Sequence, residues 1–254
     1  MATMLNIRPW AVAREGYEWG VNWSPAVGAV EEAAMTAPIF GVVEERFKQI
    51  AARCLDAARA GASQSIAVSS AAAGEGKSSV AIGIAAAAAR NLGTDVLILE
   101  TDMLRPRLLE DFRLEGRGGL SDYLSSDIAI ETCIQPTRIP NVWLLPGGRP
   151  TANPGPLIRS RRFQELMTTL HEGYQTIIID APPLLTSPHA AVIVKQAESL
   201  VLVARAGQTH IQDAANALKA AGEVPVRGVV LNGTRVWLPG WVARLLGVSR
   251  FAIE

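Results

Sequence analysis

The feature that most constrains the fold is a loop of small residues between a strand pattern and a helix pattern. The β-branched run SIAVSS at 65–70 leads through SSAAAGEG into a helical pattern that begins at Lys77. Backbone N–H groups can crowd around phosphate oxygens only where side chains are absent or tiny. A strand–loop–helix arrangement is the context that such a loop requires. The segment therefore predicts a phosphate-binding loop.

One position of this loop departs from the usual G-x-x-x-x-G-K-[ST] pattern, because Ala71 stands where the first glycine is expected. Alanine still permits much of the close backbone approach, while Gly74 and Gly76 supply the unusual dihedral angles. In this motif the lysine, here Lys77, reaches the β- and γ-phosphates, and the hydroxyl of Ser78 binds Mg²⁺. The alternative is a glycine-rich turn before an alanine-rich helix.

Strand patterns and helix patterns alternate along most of the chain. The strand patterns cover 65–70, 95–100, 141–145, 176–180, 199–204 and 228–232. A helix that starts near 41 has Gly61 placed to stop it. Thr209 and Gln212 have the spacing of a capping box before a helix that ends at Gly222. Strands that are apolar on both sides and separated by helices indicate an α/β fold, with a mostly parallel sheet covered by helices on both faces.

Three carboxylates stand at the predicted carboxyl ends of strands, where ligands bind in such sheets. TIIID ends in Asp180, which suits a Mg²⁺ ligand beside the loop, and DVLILE ends in Glu100, two residues before Asp102. Alternate residues of a strand project to one side, so Glu100 and Asp102 would face the same way if the strand continues. One would hold metal or water and the other would act as a base. The alternatives are a capping or turn role for Asp180 and a solvated strand end for the pair.

Composition and charge narrow the function classes. The chain of 254 residues suits a single α/β domain, and its formal net charge of zero gives no field to attract nucleic acid. Cys54 and Cys133 lack the spacing of a zinc site or a disulfide framework. There is no signal-peptide pattern and no apolar run long enough to span a bilayer, so we expect a soluble, cytoplasmic protein without a nucleic-acid partner.

The two ends of the chain differ from its middle. Residues 1–38 hold three prolines and three tryptophans, which indicates a partly ordered extension over the domain surface or a docking segment for a partner. In residues 234–254, Trp237 and Trp241 share one face of a short basic amphipathic segment. That segment suits a membrane surface, a partner groove or packing on its own domain. The central domain is expected to cover residues 39–233.

Three motifs together resemble the bacterial tyrosine kinases of capsule and exopolysaccharide systems: GEGKSS, VLILETDMLRP and IIIDAPP. These kinases are P-loop NTPases related to the division-site and plasmid-partition ATPases. Further landmarks agree in order, namely GLSDYL, LLPGGRPTANPGPLIRSRRFQEL, VARAGQT and GVVLN, so that the resemblance covers roughly residues 40–233. Partition-type ATPases carry an extra lysine five residues before the second lysine of the loop. Ala72 stands there, which favours the kinase branch.

The resemblance implies ATP and Mg²⁺ as cofactors and suggests a role for each site residue. Glu100 and Asp102 stand where the family has an aspartate pair implicated in metal binding and in activation of the tyrosine hydroxyl; with Lys77 they would be catalytic. The expected metal ligands are Ser78, Asp102 and Asp180. The expected nucleotide-binding residues are Ala73, Gly74, Glu75, Gly76, Lys77, Ser78, Ser79 and Asn232. Asn232 matches an asparagine that lies near the adenine in related ATPases, although Asn-Gly is also a turn signal.

The resemblance also implies partners. A membrane polysaccharide co-polymerase would activate the protein at the inner face of the cell membrane. The family's Glu/Arg helix motif for ring assembly is loosely retained in VEERFKQIAAR, which favours a nucleotide-dependent homo-oligomer. The C-terminal segment would add a contact with the membrane surface.

Departures from the family pattern leave three functions open. Glu100 is one methylene longer than the family's aspartate, and Leu104 replaces an arginine. The C-terminal tyrosine cluster is missing: Tyr174 is expected to be structural, and Tyr17 is the only tyrosine expected to be an exposed acceptor. The intact lysine, serine and aspartates favour a kinase. The missing tyrosines and the altered acidic pair favour a nucleotide-gated regulator, and the C-terminal segment alone favours a partition-like membrane ATPase.

Overall fold

The structure, a computed structural model, describes residues 38–55 and 63–233. Lys48–Gly233 form one compact unit, and the helical residues 38–47 belong to a second unit. The predictions for residues 1–37, for Gly61 and for residues 234–254 lie outside the described residues. The division into an extension, a central domain and a C-terminal segment therefore stays a prediction.

One sheet carries the strands of the described residues. These are β1 (Gln64–Ser70), β2 (Val96–Glu100), β3 (Gln135–Pro136), β4 (Val142–Leu145), β5 (Thr176–Asp180), β6 (Ser199–Arg205) and β7 (Val226–Asn232). Their spatial order is β3-β4-β2-β5-β1-β6-β7. Neighbouring strands run parallel, except that β3 is antiparallel to β4. This is the mostly parallel sheet that the alternating pattern predicts.

Helices connect the strands. In chain order they are α1 (Pro38–Cys54), α2 (Lys77–Leu92), α3 (Leu108–Asp111), α4 (Leu120–Ser125), α5 (Ile130–Cys133), α6 (Gly155–Ile158), α7 (Arg161–Gly173), α8 (Ala190–Val194) and α9 (Ile211–Ala221). Helix α2 lies against β1, β2 and β5. Helices α7, α8 and α9 contribute to a buried apolar cluster with the strands.

Both faces of the sheet are covered, because adjacent residues of the central strands are buried alike. Leu97 and Leu99 of β2 project into the cluster that includes α7, α8 and α9. Ile98 projects to the opposite face, as successive strand residues must, and is also fully buried. On that side α2 contributes the buried Val80 and Ile84. The predicted α/β fold with helices on both faces is confirmed.

The predicted capping box is wrong, because the hydroxyl of its first residue, Thr209, hydrogen-bonds to a residue distant in sequence and not to the helix. His210 is the N-cap residue of α9, and no side chain caps the helix there. The hydroxyl of Thr209 accepts a hydrogen bond from the backbone N–H of Arg205 and donates one to the carboxylate of Glu75. The predicted end of the helix is confirmed, since α9 ends at Ala221 and Gly222 has φ 75°.

The strand order determines where the candidate site lies. Strand β5 is between β2 and β1, so its last residue is flanked on both sides by the carboxyl ends of its neighbours. Asp180 is paired in register with Glu100 of β2 and with Val68 of β1. The three predicted motifs therefore meet at one edge of the sheet. No helix in the described ranges is both long and apolar enough to cross a membrane.

Candidate nucleotide-binding site

The loop between β1 and α2 has the backbone that its glycines predict. Gly74 and Gly76 have φ angles of 84° and 95°, in the left-handed region that glycine adopts without strain. Helix α2 begins at Lys77, directly after Gly76. The side chain of Ala71 is buried, and its carbonyl accepts a hydrogen bond from Leu185 N–H. A small residue at position 71 is therefore compatible with this loop.

The outer part of the loop is held by a buried glutamate. Glu75 accepts a hydrogen bond from Ala72 N–H at 3.1 Å and another from the hydroxyl of Thr209. The Nδ2 of Asn232 donates to the carbonyl oxygen of Glu75 at 3.0 Å. Both carboxylate oxygens and the carbonyl of one residue thus stabilise the loop. The predicted role of Asn232 near an adenine stays a prediction.

Two residues at this edge were not singled out as site residues from the sequence. Arg205, the last residue of β6, donates from Nη1 to the carbonyl of Gly74 at 2.9 Å. Thr209 contacts Glu75, as described above. Both belong to the VARAGQT landmark, and the strand order explains their position, because β6 is the neighbour of β1. In the sequence these two residues lie close to the end of a predicted strand, but that position does not indicate which residues they contact.

Lys77 brings together the polar residues that the motifs predicted separately. Its Nζ lies 3.4 Å from the Oδ1 of Asp180, 3.4 Å from the Oγ of Ser78 and 3.7 Å from the Oδ2 of Asp102. Lys77 and Asp102 are largely buried, and Asp180 is only 1% exposed. Low exposure strengthens electrostatic interactions, so the charges of this cluster affect one another more than they would in water.

The net charge of the cluster favours binding of a cation. Burial raises the pKa of Asp180, Lys77 and the hydroxyl of Ser78 lower it, and the nearby Asp102 raises it. One lysine thus faces two carboxylates, which leaves an excess negative charge when both are ionised. No group of three or more acidic, histidine or cysteine side chains within the described residues forms a metal site by itself. This donor set fits Mg²⁺, which takes few protein ligands and completes its shell with phosphate oxygens and water.

Glu100 has a different environment from Asp102. Its Oε1 accepts hydrogen bonds from Arg107 N–H at 2.6 Å and Leu108 N–H at 3.0 Å, and its Oε2 accepts one from Gly147 N–H at 2.8 Å. Burial raises the pKa of Glu100, these hydrogen bonds lower it, and Asp180 raises it. Asp102 contacts Lys77, whereas backbone donors occupy both oxygens of Glu100. The predicted catalytic role of Glu100 stays a prediction.

The remaining predicted residues lie on the open side of the loop. Ala73 and Ser79 are exposed, Ala73 within the loop and Ser79 in the first turn of α2. Small residues there leave the loop accessible to a ligand from solvent. Their role in nucleotide binding stays a prediction.

The described tyrosines are not free at the surface. Tyr174 is buried, as expected for a structural residue, and burial raises the pKa of its hydroxyl. The ring of Tyr123 is partly buried, and the guanidinium of Arg162 lies 4.4 Å from its centre. Tyr17 lies outside the described residues.

Gly76→Ala should lower the affinity for ATP by about tenfold, because about 1–2 kcal/mol of left-handed strain favours a changed loop backbone that ATP binding would have to reverse. A Cβ on Gly76 would also lie 2.0 Å from the Nδ2 of Asn232, which would have to leave Glu75. Gly74→Ala is the matched control, because φ is similar but nothing lies within 4 Å of its Cβ. We expect Gly74→Ala to weaken ATP binding less, as measured by calorimetric titration. Equal losses for the two variants would show that the contact with Asn232 is unimportant.

Comparisons with known proteins show what this chain is similar to in sequence and in fold. No protein-family model matches the chain. The chain is 32% identical over 139 residues to the tyrosine-protein kinase Wzc of Salmonella typhimurium, covering 54% of this chain and 19% of Wzc. It is 32% identical over 144 residues to the tyrosine-protein kinase CpsD of Streptococcus pneumoniae serotype 4, covering 55% of this chain and 63% of CpsD. The crystal structure of the chimerical protein CapA2B2 superposes with a TM-score of 0.69 at 32% identity, covering 75% of this chain and 84% of that one.

The matched region covers only part of each curated relative. The chain spans about a fifth of the length of Wzc and less than two thirds of the length of CpsD. The similarity in sequence is to proteins named tyrosine-protein kinases, and the similarity in fold extends over most of a solved structure. The chain is homologous to proteins named as bacterial tyrosine-protein kinases, and its fold is that of the P-loop NTPases.

Proposed function

We propose that this chain is an ATP-dependent tyrosine-protein kinase of capsule or exopolysaccharide biosynthesis. The observation that carries the proposal is the cluster of Lys77, Ser78, Asp102 and Asp180 beside the loop. Such a set of groups is what phosphoryl transfer needs: a cation for the phosphates, oxygen ligands for Mg²⁺ and a carboxylate for the attacking hydroxyl. The relatives Wzc and CpsD, both named tyrosine-protein kinases, support the same activity.

Each residue of the cluster has a defined task in this proposal. The backbone of the loop surrounds the phosphates, and Lys77 exchanges its contacts with the two aspartates for contacts with the β- and γ-phosphates. Ser78 and Asp180, with Asp102 beside them, would hold Mg²⁺, which neutralises charge on the transferred phosphoryl group. Asp102 orients the tyrosine hydroxyl and accepts its proton. The tyrosine oxygen bonds to the γ-phosphorus as the bond to the bridging oxygen breaks, and ADP leaves.

The acceptor tyrosine comes from outside the described part of the chain in this proposal. Tyr174 is buried and cannot present its hydroxyl to a second molecule, and the guanidinium of Arg162 covers the ring face of Tyr123. A membrane polysaccharide co-polymerase is the proposed activating partner. We place the protein in the cytoplasm at the inner face of the membrane, as a nucleotide-dependent homo-oligomer.

The test is phosphate transfer to tyrosine by the purified protein. Wild type is incubated with ATP, Mg²⁺ and a tyrosine-containing peptide, and products are identified by intact mass and phosphopeptide mapping. We expect phosphotyrosine with wild type and at least about a 10²-fold lower rate with Asp102→Asn, because the hydroxyl loses its base. The control is Asp111→Asn, which neutralises an exposed aspartate of α3. No transfer by wild type, with or without a co-polymerase fragment, would contradict the kinase proposal.

A second candidate function is a nucleotide-gated regulator of polysaccharide export. The observation that favours it is the hydrogen bonding of Glu100, which occupies one of the two carboxylates expected in catalysis. A regulator would bind ATP and change its association state with little transfer. Analytical ultracentrifugation with ADP and with ATP measures the association state. Combined with the phosphate-transfer assay, it distinguishes a kinase from a regulator. ATP-dependent association without phosphotyrosine would favour the regulator.

A further inference from the structure

Glu100 is a hydrogen-bond centre at the carboxyl end of β2. The residue is 2% exposed, and its carboxylate accepts three backbone hydrogen bonds, at 2.6, 2.8 and 3.0 Å. Two donors, Arg107 and Leu108, lie at the start of α3, and the third, Gly147, follows β4. Hydrogen bonds to a buried carboxylate are among the stronger ones in proteins. A single side chain therefore joins three segments of the backbone.

These bonds close the loop that carries Asp102. The loop of residues 101–106 leaves β2 at Glu100 and returns to the same side chain at Arg107 N–H. Its other attachments are the hydrogen bonds of Thr101 to the carbonyl of Asp180 and that of Thr151 N–H to the carbonyl of Met103. Asp102, between these points, is the residue that reaches Lys77.

The length of the side chain matters for this arrangement. An aspartate at position 100 would withdraw the carboxylate by about 1.5 Å, the length of one C–C bond. The three N···O distances would then exceed the usual limit of about 3.2 Å unless the backbone moved. The extra methylene of Glu100 is what allows one carboxylate to reach both α3 and the segment after β4.

We propose that Glu100 is a positioning residue, which holds the 101–106 loop so that Asp102 faces Lys77, and that it neither binds the metal nor accepts the tyrosine proton. The inference rests on the proposed kinase function for its kinetic consequences. Its structural content, the closure of the loop by the carboxylate, is independent of that function.

Two substitutions at this position distinguish a positioning role from a chemical one. Glu100→Gln keeps the length and one carbonyl oxygen, so it retains the two hydrogen bonds from the start of α3. Its NH₂ group replaces the oxygen that accepts from Gly147 N–H, so that bond is lost together with the negative charge. Glu100→Asp keeps the charge and loses the reach. A metal ligand or base needs the charge, so its order of activity would be Asp above Gln. A positioning residue needs the reach, and its order is Gln above Asp.

The experiment measures kcat and KM for ATP, the Mg²⁺ dependence and amide hydrogen exchange in wild type and both variants. We expect kcat of Glu100→Gln within about threefold of wild type and kcat of Glu100→Asp about tenfold lower, with KM unchanged in both. The half-saturating Mg²⁺ concentration should be the same in all three proteins. The amides of Arg107 and Leu108 should stay protected in Glu100→Gln and exchange faster in Glu100→Asp.

The outcomes that overturn the proposal are distinct from failure of the kinase proposal. Higher kcat for Glu100→Asp than for Glu100→Gln, or a raised Mg²⁺ requirement in Glu100→Gln alone, would assign Glu100 to the chemistry. Loss of thermal stability in Glu100→Asp without a change in kcat would show a purely structural role. If wild type transfers no phosphate, the kinase proposal fails, and hydrogen exchange alone decides whether Glu100 closes the loop. Unchanged protection of the Arg107 and Leu108 amides in Glu100→Asp would overturn the proposal that Glu100 closes the loop.

Discussion

Replacement of Lys77 by methionine should abolish ATP turnover, lowering kcat by at least about 10²-fold. Methionine has a similar length but no charge, so the phosphates lose the cation placed nearest to Asp180 and Asp102. The measurement is steady-state release of ADP with saturating ATP and Mg²⁺. Lys219→Met, which removes an exposed lysine of α9, is the control and should retain wild-type turnover. If Lys77→Met has turnover close to that of wild type, the phosphates of ATP must bind elsewhere.

The same variant has a consequence for stability that depends on pH. Burial raises the pKa of Asp180 and Lys77 lowers it, so removing the lysine raises that pKa further. A carboxyl group whose folded pKa lies above its unfolded pKa destabilises the folded state at high pH. The penalty disappears as pH falls below the unfolded value, where both states are protonated. We therefore expect Lys77→Met to be destabilised at pH 7.5 and to approach wild type at acid pH in urea unfolding. A pH-independent difference would mean that Asp180 is not the group affected.

Asp180→Asn should reduce Mg²⁺-dependent turnover by about 10²-fold or more, because a neutral amide is a weak ligand for a hard cation. The amide oxygen retains an acceptor for Ser78 and Lys77, so the geometry of the cluster should survive. The measurement is turnover as a function of Mg²⁺ concentration, in which the variant should need more metal. Asp111→Asn in α3 again controls for loss of a carboxylate. An unchanged Mg²⁺ dependence would exclude Asp180 from the metal site.

Stability gives a second readout for Asp180→Asn. The buried carboxylate already carries a desolvation penalty, which appears as its raised pKa. Neutralising it in place removes that penalty, and Lys77 keeps its contact with Asp102, so the free energy of unfolding at neutral pH should be no lower than that of wild type. Low activity combined with retained stability would separate a chemical role from a structural one.

Local sequence was sufficient to predict a feature where one short segment contains both the sequence pattern and the structure that it forms. The loop between β1 and α2 is encoded by consecutive small residues, and Gly74 and Gly76 adopt the dihedral angles that those residues permit. The parallel sheet could be predicted because strands buried on both faces have a distinctive apolar pattern. The position of Asp180 followed from its place at the end of such a strand. In each case the relevant information lies within about ten consecutive residues.

Tertiary structure decided every feature that depends on a distant partner. Thr209 has the local pattern of a capping residue, yet it bonds to Glu75, 134 positions away, because β6 lies beside β1. Glu100 and Asp102 look equivalent in sequence, but the segment after β4 supplies Gly147 N–H to the first and Lys77 reaches the second. Hydrogen bonds and ion pairs act over a few ångströms. Which groups come that close is determined by strand order, which no single segment of the sequence contains.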